Sequence, residues 1–343
     1  MRHIKISSSR ALVQRGPATR LAGAASKAEM NKRTLEIWTV SCPASLRWMA
    51  GLFLVFLFCL VTRPVQAQVT IAQLSDTHLG EQHSPHAADN LRRAVDMINS
   101  RHPDAVLLSG DIGENPGEWD KAKSILKNLK APIYYAPGNH DVHSHDVDRY
   151  RGAFGKDYYR FQVKNVTFLV IDSQLLGNYD QFDARPLPPL PSQMEQESEK
   201  MLDWLSNQSG GDHGHDRHDR DRGRDRDRDR GNDRDDRGQG IIIGIQHIPV
   251  YRDGNFPSDS KPYWVVNDPY RSREMDILHK LGVKHMLVGH WHNGRVFQHD
   301  GITWHVGDAT SWLPMGGELG FAMHTISRDG DVRTEFVPLG TQP

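Results

Sequence analysis

The chain has 343 residues, enough for one large domain or two small ones, and its 42 basic and 43 acidic residues leave a formal net charge of −1. That balance argues against a general polyanion binder: no charge excess is available to hold nucleic acid or an anionic membrane surface. Cys42 and Cys59 are the two cysteines, and both lie near the start.

The opening segment reads as a leader over residues 1–67. Met49 to Val61 is an apolar run with Arg47 just before it. It is shorter than the roughly 20 residues that span a bilayer. Val65-Gln66-Ala67 follows as a small-residue cleavage pattern, making Gln68 the expected mature start. The expectation is a periplasmic or secreted protein with no stable membrane span after cleavage; the alternative is an anchor left uncleaved. Met30, followed by Asn-Lys-Arg, is an alternative start. Cleavage would remove both cysteines, so no disulfide is available and any metal site must use nitrogen and oxygen ligands.

Residues 68–343 then alternate strand and helix patterns. Val69–Leu74 is a short β run, followed by a helix near Ala87–Asn99. Asp104–Leu108 is a second strand, Gly117–Leu129 a second helix and Ile133–Ala136 a third strand. Tyr158–Val163 and Val166–Ile171 form a strand pair, and Met194–Asn207 a helix. The alternation predicts a layered α/β fold. Residues 211–240 break the pattern with Asp, Arg, Gly and His, and offer no apolar face to bury. They read as a disordered surface insert. The competing reading is a contact for a charged partner, with His213, His215 and His218 as metal scavengers. Ile241–Ile245 resumes the fold as a strand. A helix opens at Asp268-Pro269, with Asp as N-cap, and ends at Gly282. Val283–Val288 is another strand. From Gly301 short strands and Gly turns suggest a second sheet packed on the first.

Five motifs sit where apolar runs end: Asp76-Thr77-His78, Gly110-Asp111, Gly138-Asn139-His140-Asp141, Gln246-His247 and Gly289-His290-Trp291-His292. Rigid strands can hold such ligands while their loops stay open to substrate. Residues two apart on a strand share a side, so Asp-x-His can aim a carboxylate and an imidazole at one ion if the strand continues through it. Asp111 suits a bridging carboxylate, and Asn139 offers a neutral oxygen. A pair of cations held this way clamps a phosphate and generates hydroxide from water. His140 is the natural acid for the leaving oxygen, with Asp141 or Glu114 to fix its tautomer. Tyr263, Trp264, Trp291 and Trp312 are candidates for the pocket wall or for the core. His143, His145, His285 and His305 read as structural or exposed.

The motifs, with Pro137–Val142, Phe168–Leu176, Gln246–Val250 and Gly282–Asn293, resemble the calcineurin-like metallophosphoesterase superfamily. They are most similar to the branch that contains calcineurin-like phosphoesterase domain-containing protein 1. The resemblance runs over Val69–Leu339 and implies a four-layer α/β/β/α sandwich with a dinuclear centre; nitrogen and oxygen ligands with a bridging carboxylate suit Mn, Fe or Zn. One metal would take Asp76, His78, Asp111 and His292; the other, Asp111, Asn139, His247 and His290. His140 would contact the phosphoryl group. Many relatives carry Asp where this chain has Glu114. The reading is therefore a hydrolase of phosphorylated substrates, a phosphomonoesterase on protein or small molecules. Alternatives are a phosphodiesterase on cyclic nucleotides or nucleic acid, and a non-catalytic binding protein on the same fold.

Overall fold

Alternation of side chains along the strands decides the architecture. In β1 (Val69–Leu74) and β2 (Ala105–Ser109), Val69, Ile71, Ala105 and Leu107 enter one core cluster. Their neighbours Ala72, Leu74, Val106 and Leu108 enter another, with Leu91, Ala94 and Ile98 of α1 (Ala87–Arg101) and Trp119 and Ala122 of α2 (Pro116–Leu126). The period of two sends each set to its own face. The computed structural model describes residues 68–208, 240–254, 261–314 and 316–340. The expected leader and, apart from Gly240, the Asp/Arg-rich tract lie outside the described residues.

The first sheet has the order β11-β10-β1-β2-β3, where β3 is Ile133–Ala136, β10 is Gly320–Ile326 and β11 is Val332–Pro338. The second has the order β4-β5-β6-β7-β9-β8. Its strands are β4 (Tyr159–Val163), β5 (Val166–Val170), β6 (Ile241–Ile245), β7 (His285–Val288), β8 (Arg295–His299) and β9 (Ile302–Val306). Val166, Phe168 and Val170 of β5 and Ile243 and Ile245 of β6 join Val69, Ile71 and Leu107 in the layer between the sheets. The second sheet's other face, with Leu169, Met286 and Val288, belongs to the helix-lined cluster. There α4 (Ser192–Ser206) supplies Met201, Leu202 and Leu205, and α5 (Tyr270–Lys280) supplies Met275 and Leu278. Two sheets flanked by helices make the α/β/β/α sandwich. A shorter helix, α3 (Val147–Phe154), follows β3.

Three local expectations change. The tail does not build a second sheet by itself: β9 lies parallel to β7 in one sheet, while β10 lies antiparallel to β1 in the other. The edge strand β8 escapes sequence reading because its side chains, from Arg295 to His299, are half or fully exposed and carry no apolar alternation. Helix α5 starts at Tyr270 with Pro269 at the cap position. Asp268 instead accepts from Ser272 N at 3.3 Å and Ser272 Oγ at 2.6 Å. Among the described residues, no helix is long and apolar enough to cross a membrane.

Candidate metal centre

The parallel strands β1, β2, β3, β6 and β7 deliver all the sequence-predicted ligands at their carboxyl ends, where open α/β sheets place ligands. The loops after β1 and β2 stay zipped beyond the strands: Asp76 N donates to Gly110 O at 3.1 Å, and His78 N to Asp111 O at 2.9 Å. The strand geometry itself does not persist. Asp76, His78, Asp111, His290 and His292 all have positive φ, between 40° and 72°. Left-handed backbone costs a non-glycine residue about 1–2 kcal/mol, and such strain gathers at functional sites. The convergence thus comes from left-handed turns, not from strand alternation. His290 and His292 show the consequence, because they turn to different clusters.

One cluster holds Asp76, His78, Asp111 and His292, all buried; a second holds Asp111, His247 and His290, also buried; a third, partly buried, holds His78, Glu114 and His140. In the first, His292 Nε2 lies 3.2 Å from Asp76 Oδ1, and His78 Nε2 lies 3.2 Å from His292 Nε2 and 3.4 Å from Asp111 Oδ2. In the second, His247 Nε2 lies 3.1 Å from the same Asp111 oxygen. Asp111 is the shared carboxylate. Asn139 is buried beside them, its Nδ2 donating to Tyr263 Oη at 2.8 Å. Close approach requires glycine at two points. A Cβ on Gly110 would land on His247 Nδ1, and one on Gly138 would land on the Asp111 carboxylate.

The donors fit a pair of cations. His78, His247 and His292 each engage Nδ1 with an oxygen: Glu114 Oε1 at 2.9 Å, Ser109 O at 2.7 Å and Trp312 O at 2.7 Å. His290 instead engages Nε2, with Tyr263 O at 3.1 Å. Each imidazole therefore keeps its other nitrogen, with its lone pair, for the cluster, as outer partners of metal ligands do. Asp76 Oδ1, Asn139 Oδ1 and His247 Nε2 are buried without a hydrogen-bond partner. Buried polar atoms are rarely left so; a bound ion satisfies all three. Burial opposes charge on Asp76, but His292 and His247 outweigh it and hold the carboxyl well below its usual range. Burial and His247 together push His290 down to about 3.

Glu114 spans the site. Oε1 accepts from His78, and Oε2 lies 2.9 Å from His140 Nδ1. The His140 backbone N donates to Asp111 Oδ1 at 2.9 Å. Burial pulls the His140 imidazole down, yet Asp111 and Glu114 outweigh it and hold it at about 9. Asp141 turns elsewhere. Its carboxylate accepts from Ile112 N and Gly138 N, both at 2.9 Å, and so clips two ligand loops together instead of touching the His140 ring. Burial, then Asp111, push Asp141 up to about 7.

Several residues of the site have no motif. Ser109 acts through its carbonyl group, for which side-chain identity gives no signal; Tyr263 and Trp312, candidates for the pocket wall, do line the cleft and also engage His290 and His292 through their carbonyls. His143 lines the cleft with its ring 5.2 Å from that of His140. His83 is exposed and stacks on Trp312, outside the residues that line the cleft. His285 and His305 belong to a polar chain between the sheets. His285 Nδ1 meets His305 Nε2 at 3.0 Å, and His305 Nδ1 meets Thr334 Oγ1 at 2.6 Å. His324 links Thr334 at 3.0 Å to Gln73 Oε1 at 2.8 Å, and Gln73 Nε2 donates to Ser109 Oγ and Val288 O, both at 2.8 Å. The chain ends on the residue whose carbonyl orients His247 and on the strand end before His290.

A sandwich with two acid–histidine clusters sharing one carboxylate defines a metallophosphoesterase. The family model for calcineurin-like phosphoesterase matches residues 69–294, and the chain belongs to that family. It is 25% identical over 251 residues to the serine/threonine-protein phosphatase CPPED1 of Danio rerio, covering 68% of each chain. It is 26% identical over 215 residues to the Homo sapiens protein of the same name, covering 58% of this chain and 57% of that one, less than two thirds of its length. The crystal structure of a Danio rerio dimetal phosphatase shares the fold, with a TM-score of 0.53 at 15% identity over 79% of this chain and 99% of that one.

Proposed function

We propose that the chain is an exported phosphomonoesterase with a dinuclear centre, in which Asp76, His78, Asp111 and His292 hold one divalent ion and Asp111, Asn139, His247 and His290 the other. One observation carries this reading: two buried donor clusters meet at Asp111, and three unpartnered buried atoms lie among the assigned ligands. Nitrogen and oxygen donors suit Mn, Fe or Zn. When bound, such ions neutralise phosphate charge and lower the pKa of a coordinated water.

The chain's own groups supply the rest. His140 has Nδ1 committed to Glu114, which leaves Nε2 for the cleft it lines. Its Nε2 hydrogen-bonds the phosphoryl group and, when protonated, gives its proton to the departing oxygen. Glu114 keeps that imidazole in one tautomer, and Asp141 keeps the loops of Asp111 and His140 in register. Among the described residues every assigned ligand position is filled, which supports catalysis over a binding role. Export is supported by the apolar run before Val65-Gln66-Ala67. N-terminal sequencing of the secreted chain should begin at Gln68; a start well before it contradicts export with cleavage.

Hydrolysis of p-nitrophenyl phosphate and its bis-ester, with Mn, Fe or Zn supplied separately, tests the activity. The monoester should be preferred, and Asp111→Asn should abolish turnover with the circular dichroism spectrum unchanged. Turnover surviving in that variant overturns the assignment, and preference for the bis-ester makes the enzyme a diesterase.

A further inference from the structure

The metal centre opens into a cleft of about 410 Å³, within the range of small-molecule sites. Its wall is aromatic on both sides of the two clusters. Beside His290, the rings of Tyr263 and Trp264 lie 4.9 and 5.5 Å away and meet each other at 5.2 Å. Phe182 continues this group outward, edge-to-face with Tyr263 at 5.0 Å and with Trp264 at 5.6 Å. Beside the other cluster, Trp312 lies 5.2 Å from both His78 and His292.

Phe182 is the feature that packing does not explain. It is 44% exposed, and among the described residues only Val296 is another large apolar side chain as open to water. A single exposed ring is ordinary on a surface, but this one extends the aromatic wall of the cleft through Tyr263 and Trp264. It is also held in place, with Lys261 Nζ 3.3 Å from its centroid and 2.9 Å from Asp183. Among the described residues, no Lys or Arg lines the cleft; its charged members besides the ligands are histidines and Asp180. A polyanionic leaving group would meet Asp180 in the cleft, and the Lys261 ammonium at its rim is already engaged by Asp183 and the Phe182 face. A neutral, flat one would find ring faces and edges.

We propose that this slot selects aryl phosphomonoesters, with Phe182 as a specificity-determining residue for the leaving group. The proposal rests on the phosphomonoesterase reading above and names its substrate class. Water adds to phosphorus, the bond from phosphorus to the aryl oxygen breaks, and that oxygen takes the His140 proton to leave as the phenol, with inorganic phosphate as the other product.

The test compares phenyl phosphate with cyclohexyl phosphate, a ring of similar size that is not flat, in the metal-loaded wild type and in Phe182→Ala and Phe182→Tyr. Intrinsic leaving-group reactivity cancels when each enzyme's selectivity is divided by that of wild type. Phe182→Ala should lower the phenyl-to-cyclohexyl ratio of kcat/KM about fivefold, mostly through KM for phenyl phosphate, and Phe182→Tyr should restore it. Equal losses on both esters, or no change in the ratio, would overturn the proposal. A wild type inert on both esters would instead sink the phosphoesterase reading beneath it.

Discussion

Glu114 is the residue on which the site's two functions meet. One carboxylate oxygen orients the ligand His78 and the other orients His140. Burial opposes its ionisation, but its hydrogen bonds to His140 and His78, with His143 nearby at 3.9 Å, hold the carboxyl far below its usual range, so it stays a double acceptor. Glu114→Gln keeps the length and loses the symmetry: its amide NH2 must face one of two N–H groups. Outer partners of metal ligands typically contribute 10–100-fold to affinity or activity. We expect Glu114→Gln to lower kcat/KM by roughly that range and to weaken metal retention, with little change in thermal midpoint. Steady-state kinetics with metal analysis of the purified variant checks it; full activity would show that neither histidine needs the carboxylate. The longer Glu arm in place of Asp follows from this double reach. It was legible as a departure in the sequence, but its second partner was not, because nothing in the motif ties His78 to residue 114.

Among the elements, strands β1, β9, β10 and β11 carry a chain of hydrogen bonds through the layer between the sheets. Gln73 fixes its direction: Nε2 faces the Val288 carbonyl, so Oε1 takes the His324 proton, Thr334 then donates to His324 Nδ1, and His305 donates to Thr334. The histidines are satisfied only when neutral. Burial, then repulsion from His324 and His285, hold His305 at about 2, and burial with His285 holds His324 at about 3. An unfolded histidine has a pKa near 6.5, so below that pH the unfolded chain binds more protons than the folded one. The stability contributed by neutral histidines is therefore complete above about pH 6.5 and is lost as pH falls towards 3. Gln73→Leu strands the His324 N–H and removes a donor from Ser109 Oγ, while the Val288 carbonyl keeps Gly307 N at 2.8 Å; each unsatisfied buried group costs about 1–3 kcal/mol. Urea unfolding should show the variant less stable by about 2–4 kcal/mol, and the wild-type midpoint should fall between pH 6.5 and 4. A midpoint flat across that window would contradict neutral, buried histidines. The strand ends were legible because each ligand motif follows an apolar run. The chain was not, because Gln73, His305 and His324 interrupt apolar patterns singly and meet only when two sheets stack. The left-handed turns were also hidden, since Asp-x-His reads equally well as a continuing strand.

For the molecule as a whole, the site is the seam of two halves of the chain. Asp76, Asp111 and Asn139 follow strands of the first sheet, whereas His247, His290 and His292 follow strands of the second. Each of the two clusters that meet at Asp111 needs histidine from the second half, so metal binding as proposed is linked to folding. The central claim is that Asp111 joins two ions. Anomalous diffraction from crystals of the manganese-loaded protein measures it directly. The account predicts two peaks about 3.5–4 Å apart, one coordinated by Asp76, His78 and His292, the other by Asn139, His247 and His290, with the Asp111 carboxylate touching both. A fully active protein with a single ion, or with Asp111 bound to neither, would contradict it.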